Sequence, residues 1–125
     1  MGSAGFPQPL LGLVTSGNGT TGDPPIPVIP TSGGTNPAAF NLKGVTVRAN
    51  PLLFVDGQPV AGTVSCTSGA FDPYCAAAAG GTTGTVSVDL VVKPAAGLHV
   101  LQLMNDGGPI SNELPICLGT KLQCR

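Results

Sequence analysis

The sequence predicts an all-β fold, a small two-sheet sandwich, on three observations. Short runs of alternating apolar and polar residues recur from Phe40 onward. Gly, Pro, Asn and Asp separate these runs at close intervals, as turns require. No amphipathic helix of useful length interrupts them. The clearest run is Thr85 to Val92. Val86, Val88, Leu90 and Val92 fall on one face, and Thr85, Ser87 and Asp89 on the other. Period two of this kind places one face on a core and the other in water.

In chain order, residues 1–38 come first and differ from the rest. They are rich in Gly, Pro, Ser and Thr, and Asp23 is their one charged residue. Asp23-Pro-Pro-Ile-Pro-Val-Ile-Pro30 is extended, because each proline fixes its own φ and turns its predecessor away from helix. Such a segment reads as an arm. Leu10, Leu11, Leu13 and Val14, with Ile26, Val28 and Ile29, are the apolar residues by which it would dock. Residues 39–125 carry the sandwich. Leu42 to Ala49 is a strand with Val45 and Val47 on one face and Thr46 and Arg48 on the other; Asn50-Pro51 ends it. Leu52 to Val55 and Gln58 to Cys66 flank Asp56-Gly57, a strong two-residue hairpin signal. An irregular loop follows to Thr83, in which Ala76 to Ala79 favours one helical turn, ended by Gly80-Gly81. After Pro94-Ala-Ala-Gly97 comes a last hairpin. Leu101 and Leu103 point one way and Val100 and Gln102 the other. Asn105-Asp106-Gly107-Gly108 is the turn, and Ser111 to Ile116 is the returning strand. The count is about six strands.

The four cysteines form two close doublets, Cys66 with Cys75 and Cys117 with Cys124. Three connectivities exist. Pairing within each doublet is expected, because each brackets a turn-rich loop. Zinc is disfavoured, since ligand cysteines are usually separated by two to four residues and these separations are wider. Disulfides imply an oxidising compartment, so the protein is expected outside the cell or on its surface. Leu10 to Val14 is too short for the apolar stretch of a secretory leader, which does not argue for the cytoplasm. Met1-Gly2-Ser3 resembles a myristoylation start, but Phe6 stands where Ser or Thr is required. No run is long enough for a membrane-spanning helix.

Charge excludes several partners. Charged residues make up 9% of the chain and the net charge is −1. The basic residues Lys43, Arg48, Lys93, Lys121 and Arg125 are scattered, so there is no footprint for nucleic acid. Catalysis is not expected. His99 is the sole histidine, and no serine lies in a Gly-x-Ser-x-Gly elbow. Asp56 and Asp106 are turn residues, and the carboxylates do not cluster as a glycosidase pair or a calcium site would. No cofactor or metal is expected. Phe71 and Tyr74, in the loop between Cys66 and Cys75, are the only rings placed to stack on a sugar. Asn18-Gly-Thr20 matches the N-glycosylation triplet.

The runs Leu53-Phe-Val-Asp-Gly57, Val86-Ser-Val-Asp-Leu90 and Gly97 to Glu113 resemble the immunoglobulin-like IPT/TIG domains of bacterial surface and secreted proteins. Those domains commonly close on G-x-H/Y-x-hydrophobic-x-hydrophobic-x-N-x-x-G-x-x-S-N. Gly97, His99, Leu101, Leu103, Asn105, Gly108, Ser111 and Asn112 fill these places. The resemblance spans residues 41–117, its last third is the specific part, and the cysteine-bracketed loops are additions to the pattern. It implies an immunoglobulin-like β-sandwich and a role in adhesion, spacing or assembly. Such a sandwich has about seven strands. One more than the six counted is therefore needed, and a strand from the arm would supply it, in its own chain or in a neighbour. Repeated head to tail, exchange between neighbours makes a filament. The expectation is an extracellular structural subunit whose partner is a further copy of itself. The alternative is a non-catalytic accessory module of a secreted protein, with cell-surface glycans as partner through Phe71 and Tyr74.

Overall fold

The structure, a computed structural model, describes residues 8–12, 20–21, 26–29, 39–91 and 94–124. The protein is all-β. Among the described residues twelve strands follow one another: β1 (Leu10–Gly12), β2 (Thr20–Thr21), β3 (Ile26–Ile29), β4 (Ala39–Val45), β5 (Leu52–Val55), β6 (Gln58–Val60), β7 (Gly62–Cys66), β8 (Ala70–Phe71), β9 (Cys75–Ala76), β10 (Thr83–Leu90), β11 (Gly97–Met104) and β12 (Leu114–Leu118). One turn of 3₁₀-helix, Lys121–Cys124, closes the described chain. The first sheet has the order β1-β4-β10-β7 and the second β2-β3-β12-β11-β5-β6, while β8 and β9 pair with each other. Pairing is antiparallel except between β3 and β12, which run parallel.

Both sheets contribute to one core. Leu42, Val86, Val88 and Leu90 come from the first sheet, and Leu53, Val55, Leu101, Leu103 and Ile116 from the second. Burying each of these side chains stabilises by about 1.5–3 kcal/mol before entropy is counted. Alternation along β10 is as the sequence indicated, with Val86, Val88 and Leu90 buried; Val92 lies outside the described residues. The Asp56-Gly57 hairpin is also present. Both residues have positive φ, 53° and 82°, the combination a type I′ turn demands and that matches strand twist.

Four local readings are corrected. The strand expected over Leu42 to Ala49 stops at Val45, because Thr46 has φ 55°. The left-handed residue shifts the alternation, so that Val47 is buried while Val45 is half-buried. The single strand expected over Gln58 to Cys66 is two strands in different sheets, β6 beside β5 and β7 beside β10. The chain changes sheet at Ala61-Gly62. A side chain at Gly62 would lie 2.6 Å from the Asp89 carbonyl oxygen, so glycine permits the close crossing. The helical turn expected over Ala76 to Ala79 is absent. Ala76 belongs to β9, and the Gly81 N–H donates to the Ala78 carbonyl in a tight turn. The returning strand begins at Leu114, not Ser111, and runs on to Leu118.

The described parts of residues 1–38 are strands of the same two sheets as residues 39–125. β1 lies at the edge of the first sheet, and β3 adds to the second beside β12. The strand count from sequence fell short here because β1 and β2 are only three and two residues long and Pro27 sits inside β3.

Candidate functional site

The N-terminal segment has a built seat. Along one side, β1 pairs with β4 in the register Leu10↔Val45, Leu11↔Gly44, Gly12↔Lys43. Along the other side stands the Asn112 side chain, in place of a strand. The Leu11 N–H donates to its Oδ1 at 2.7 Å, and its Nδ2 donates to the Leu11 carbonyl at 3.0 Å. A carboxamide offers one donor and one acceptor at the spacing of a peptide group, so it satisfies both backbone groups of Leu11 at once. Gln8 adds two bonds. Its Nε2 donates to the Ile110 carbonyl at 3.0 Å, and its carbonyl accepts from the Thr46 hydroxyl at 2.9 Å. The Leu11 side chain enters the core, while Leu10 is exposed.

The second contact of the segment is β3. Val28 and Ile29 pair with Cys117 and Leu118, and the Gly119 N–H donates to the Ile29 carbonyl at 2.8 Å. Val28 and Ile29 are buried and Ile26 is half-buried. Cys117 and Cys124 are bonded to each other, and with Val28 they form a small second apolar cluster against which Ile26 packs. The disulfide therefore ties the C-terminal 3₁₀ turn to β12, whose Cys117 shares this cluster with Val28 of β3. Leu13 and Val14 lie outside the described residues.

Two further polar side chains brace the seat. Asn105 is buried in the turn after β11. Its Oδ1 accepts from the Arg48 N–H at 2.9 Å and its Nδ2 donates to the Thr46 carbonyl at 2.8 Å. It thereby ties the second sheet to the segment that leaves β4. Ser111, also buried, accepts from the Leu103 N–H and donates to the Asn112 carbonyl, both at 2.9 Å, which fixes Asn112 behind β1. Sequence reading placed Asn105 in a turn and Ser111 at the start of a strand, and otherwise singled out these two and Asn112 only as matches to a motif. Their common role in holding the β1–β4 edge needed the structure, because Asn105 and Asn112 act on backbone far away in the chain and Ser111 acts by fixing Asn112.

The remaining predicted residues lie elsewhere. Cys66 and Cys75 are bonded to each other. Phe71, between them, is half-buried and packs against the core. Tyr74 is half-buried and its backbone bridges to Arg48. His99, at the start of β11, faces Asp56 across the sheet. Its Nδ1 is 2.6 Å from Asp56 Oδ2 and its Nε2 is 2.6 Å from the Ala95 carbonyl. Asp56 Oδ1 also accepts from the Val100 N–H at 2.8 Å. Partial burial pushes the Asp56 carboxyl up, but the hydrogen bonds from His99 and Val100 and the charge of His99 outweigh it. They hold the group below its ordinary 3.8. A lowered carboxylate stabilises the fold above its unfolded value, and that contribution is lost as pH falls through the folded one. The Asp56 side chain is 49% exposed, so solvent screening keeps the effect at or below about 1 kcal/mol. Asp56→Asn should lower the denaturation midpoint at neutral pH, and the deficit should close as acid titration passes below 3.8. Chemical denaturation of both proteins across that range checks it.

Among the described residues no group of three or more His, Cys, Asp or Glu could hold a metal ion, and no helix is long and apolar enough to cross a membrane. Fold and seat define an all-β, two-disulfide protein whose N-terminal segment is bound strand by strand. Comparison with family models, curated proteins and solved structures finds no match.

Proposed function

We propose that this is an extracellular, immunoglobulin-like structural domain that assembles with copies of itself by N-terminal strand addition. Strand order supports the immunoglobulin-like reading. Lettering the main strands in chain order gives A-B-E-D for β1-β4-β10-β7 and G-F-C-C′ for β12-β11-β5-β6. These are the two sheets of that sandwich, with β3 as a second piece of the first strand on the edge of G. Two disulfides suit an oxidising compartment.

The seat of β1 carries the assembly reading. It recognises a strand through backbone bonds and one buried leucine, chemistry that any copy of the same segment satisfies equally. A segment that docks in its own domain can dock in a neighbour's by the same contacts, which is domain swapping, and head-to-tail repetition gives an open fibre. The carbohydrate-binding alternative rests on Phe71 and Tyr74, and commitment of Phe71 to the core weakens it.

Light scattering and negative-stain electron microscopy on the oxidised chain test the proposal. Long particles of uniform width are expected, shortened by an excess of a synthetic peptide spanning residues 8–30. A monomer at every concentration, or fibres indifferent to the peptide, would overturn it.

A further inference from the structure

The seat of β1 encloses two side chains of the segment. Pro9 and Leu11 are buried, while Leu10 between them is 47% exposed. This is the alternation of a strand with one face on the core, begun one residue ahead of β1. The same tripeptide occurs at one other place in the sequence, Pro51-Leu52-Leu53. There it opens β5, in the other sheet, with the same pattern: Pro51 and Leu53 are buried and Leu52 is 53% exposed. Pro-Leu-Leu is thus a unit that starts a strand and sends its first and third side chains inward.

We propose that the seat selects its strand by sequence, accepting extended Pro-x-Leu and refusing a segment that lacks either residue. The proposal rests on strand addition, as read above, for the source of the strand, and it names what that strand must carry. Position 11 needs a side chain that fills the core site of Leu11. Position 9 needs a buried ring without a donor. The Leu11 N–H points away from β4, to Asn112, and N–H groups two residues apart on a strand point the same way. A donor at position 9 would therefore also face away from β4, where among the described residues no strand lies beside β1. Proline has no N–H to leave unmet there, and its ring holds φ in the extended range.

The other positions are permissive. Residue 10 faces water. A Cβ added at Gly12 would meet the Lys43 Cβ at 3.7 Å, an ordinary contact. The Asn112 side chain bonds to the backbone of Leu11, so it sets register rather than sequence. With residue 11 fixed opposite Gly44, a slip of one residue would turn Pro9 and Leu11 outward and lose both buried side chains. Clamp and side chains reinforce each other: the clamp admits one register, and in that register Pro-x-Leu fills the core.

Hydrogen exchange of residues 8–12 in the oxidised full chain tests it, with an excess of unlabelled peptide spanning residues 6–14. A peptide that enters the seat expels the segment already there, whose Leu11 N–H then loses its Asn112 bond and exchanges faster. The native, Leu10→Gln and Gly12→Ala peptides are expected to act at similar concentrations. The Pro9→Ala and Leu11→Ala peptides should need about tenfold more or greater. All substitutions lie in the peptide, so the folding of the chain is not at stake. A native peptide that leaves Leu11 exchange unchanged, or Pro9→Ala and Leu11→Ala peptides that match it, would overturn the selection. Selective displacement in a chain that stays monomeric would keep the selection and remove the assembly reading. Fibres shortened equally by the native and Leu11→Ala peptides would do the reverse.

Discussion

Replacing Asn105 with alanine should cost about 2–4 kcal/mol, a large share of the 5–15 kcal/mol that usually holds a domain folded. The cost comes from what the amide leaves behind. Its Oδ1 and Nδ2 satisfy the Arg48 N–H and the Thr46 carbonyl, and Asn105 itself is buried. Neither backbone group then has its bond to the turn after β11, and each bond lost at this partly buried site costs roughly 1–2 kcal/mol. The position is also under strain. Thr46 is a β-branched residue at φ 55°, a conformation such residues adopt only when their surroundings impose it. Two further donors impose it, the Thr46 N–H to the Thr82 carbonyl and its hydroxyl, whose single hydrogen is shared between the Gln8 and Val45 carbonyls. Asn105→Ala removes the bond that reaches across to the other sheet. Thermal denaturation should show a fall on the order of 10 °C. Ser111→Ala, which loses one bond to the Leu103 N–H and one to the Asn112 carbonyl, should fall by less. An unchanged midpoint for Asn105→Ala would mean that the β4 exit holds its own conformation.

What the sequence displayed was local. β10 was legible because its four outward residues are polar and its inward ones Val and Leu, a pattern that no other period fits. The β5–β6 hairpin was legible because Asp56-Gly57 suits positive φ. Features set by distant partners were not. Val45 and Val47 alternate as a continuous strand would, and only the bonds around Thr46 show why the strand ends there. Nothing in Gln58 to Cys66 marks a change of sheet except Gly62, whose importance is its approach to the Asp89 carbonyl. The arm's strands were hidden for a related reason. Pro27 reads as a strand breaker, yet β3 keeps its place because Val28 and Ile29 are buried against β12 and the disulfide beside it. Of the seat, Asn112 was visible only as a letter in a motif. Its partner, Leu11, is a hundred residues away, and no pattern of neighbours links the two.

The two disulfides should differ in what their loss releases. Each closes a short loop, of sequence separation 9 and 7, so the chain-entropy contribution is similar, about 2.5 kcal/mol apiece. Their surroundings differ. Cys75 belongs to the main core and its N–H donates to the Val47 carbonyl, so replacing Cys66 and Cys75 with serine loosens the loop over a core that stays closed. Cys117 and Cys124 form the small cluster that covers Val28. Replacing this pair with serine frees the 3₁₀ turn, uncovers Val28 and weakens the parallel pairing that holds β3. Hydrogen exchange distinguishes the two cases at one amide. The Gly119 N–H, bonded to the Ile29 carbonyl, should lose protection in Cys117→Ser/Cys124→Ser and keep it in Cys66→Ser/Cys75→Ser, even where both variants show the same midpoint in denaturant. Because β3 lies in the arm, the first variant should also exchange its N-terminal segment faster, and fibres formed by strand addition should grow sooner from it. Equal protection of Gly119 in the two variants would show that β3 is held by its ladder with β12 alone, and that the C-terminal disulfide does not govern release of the arm.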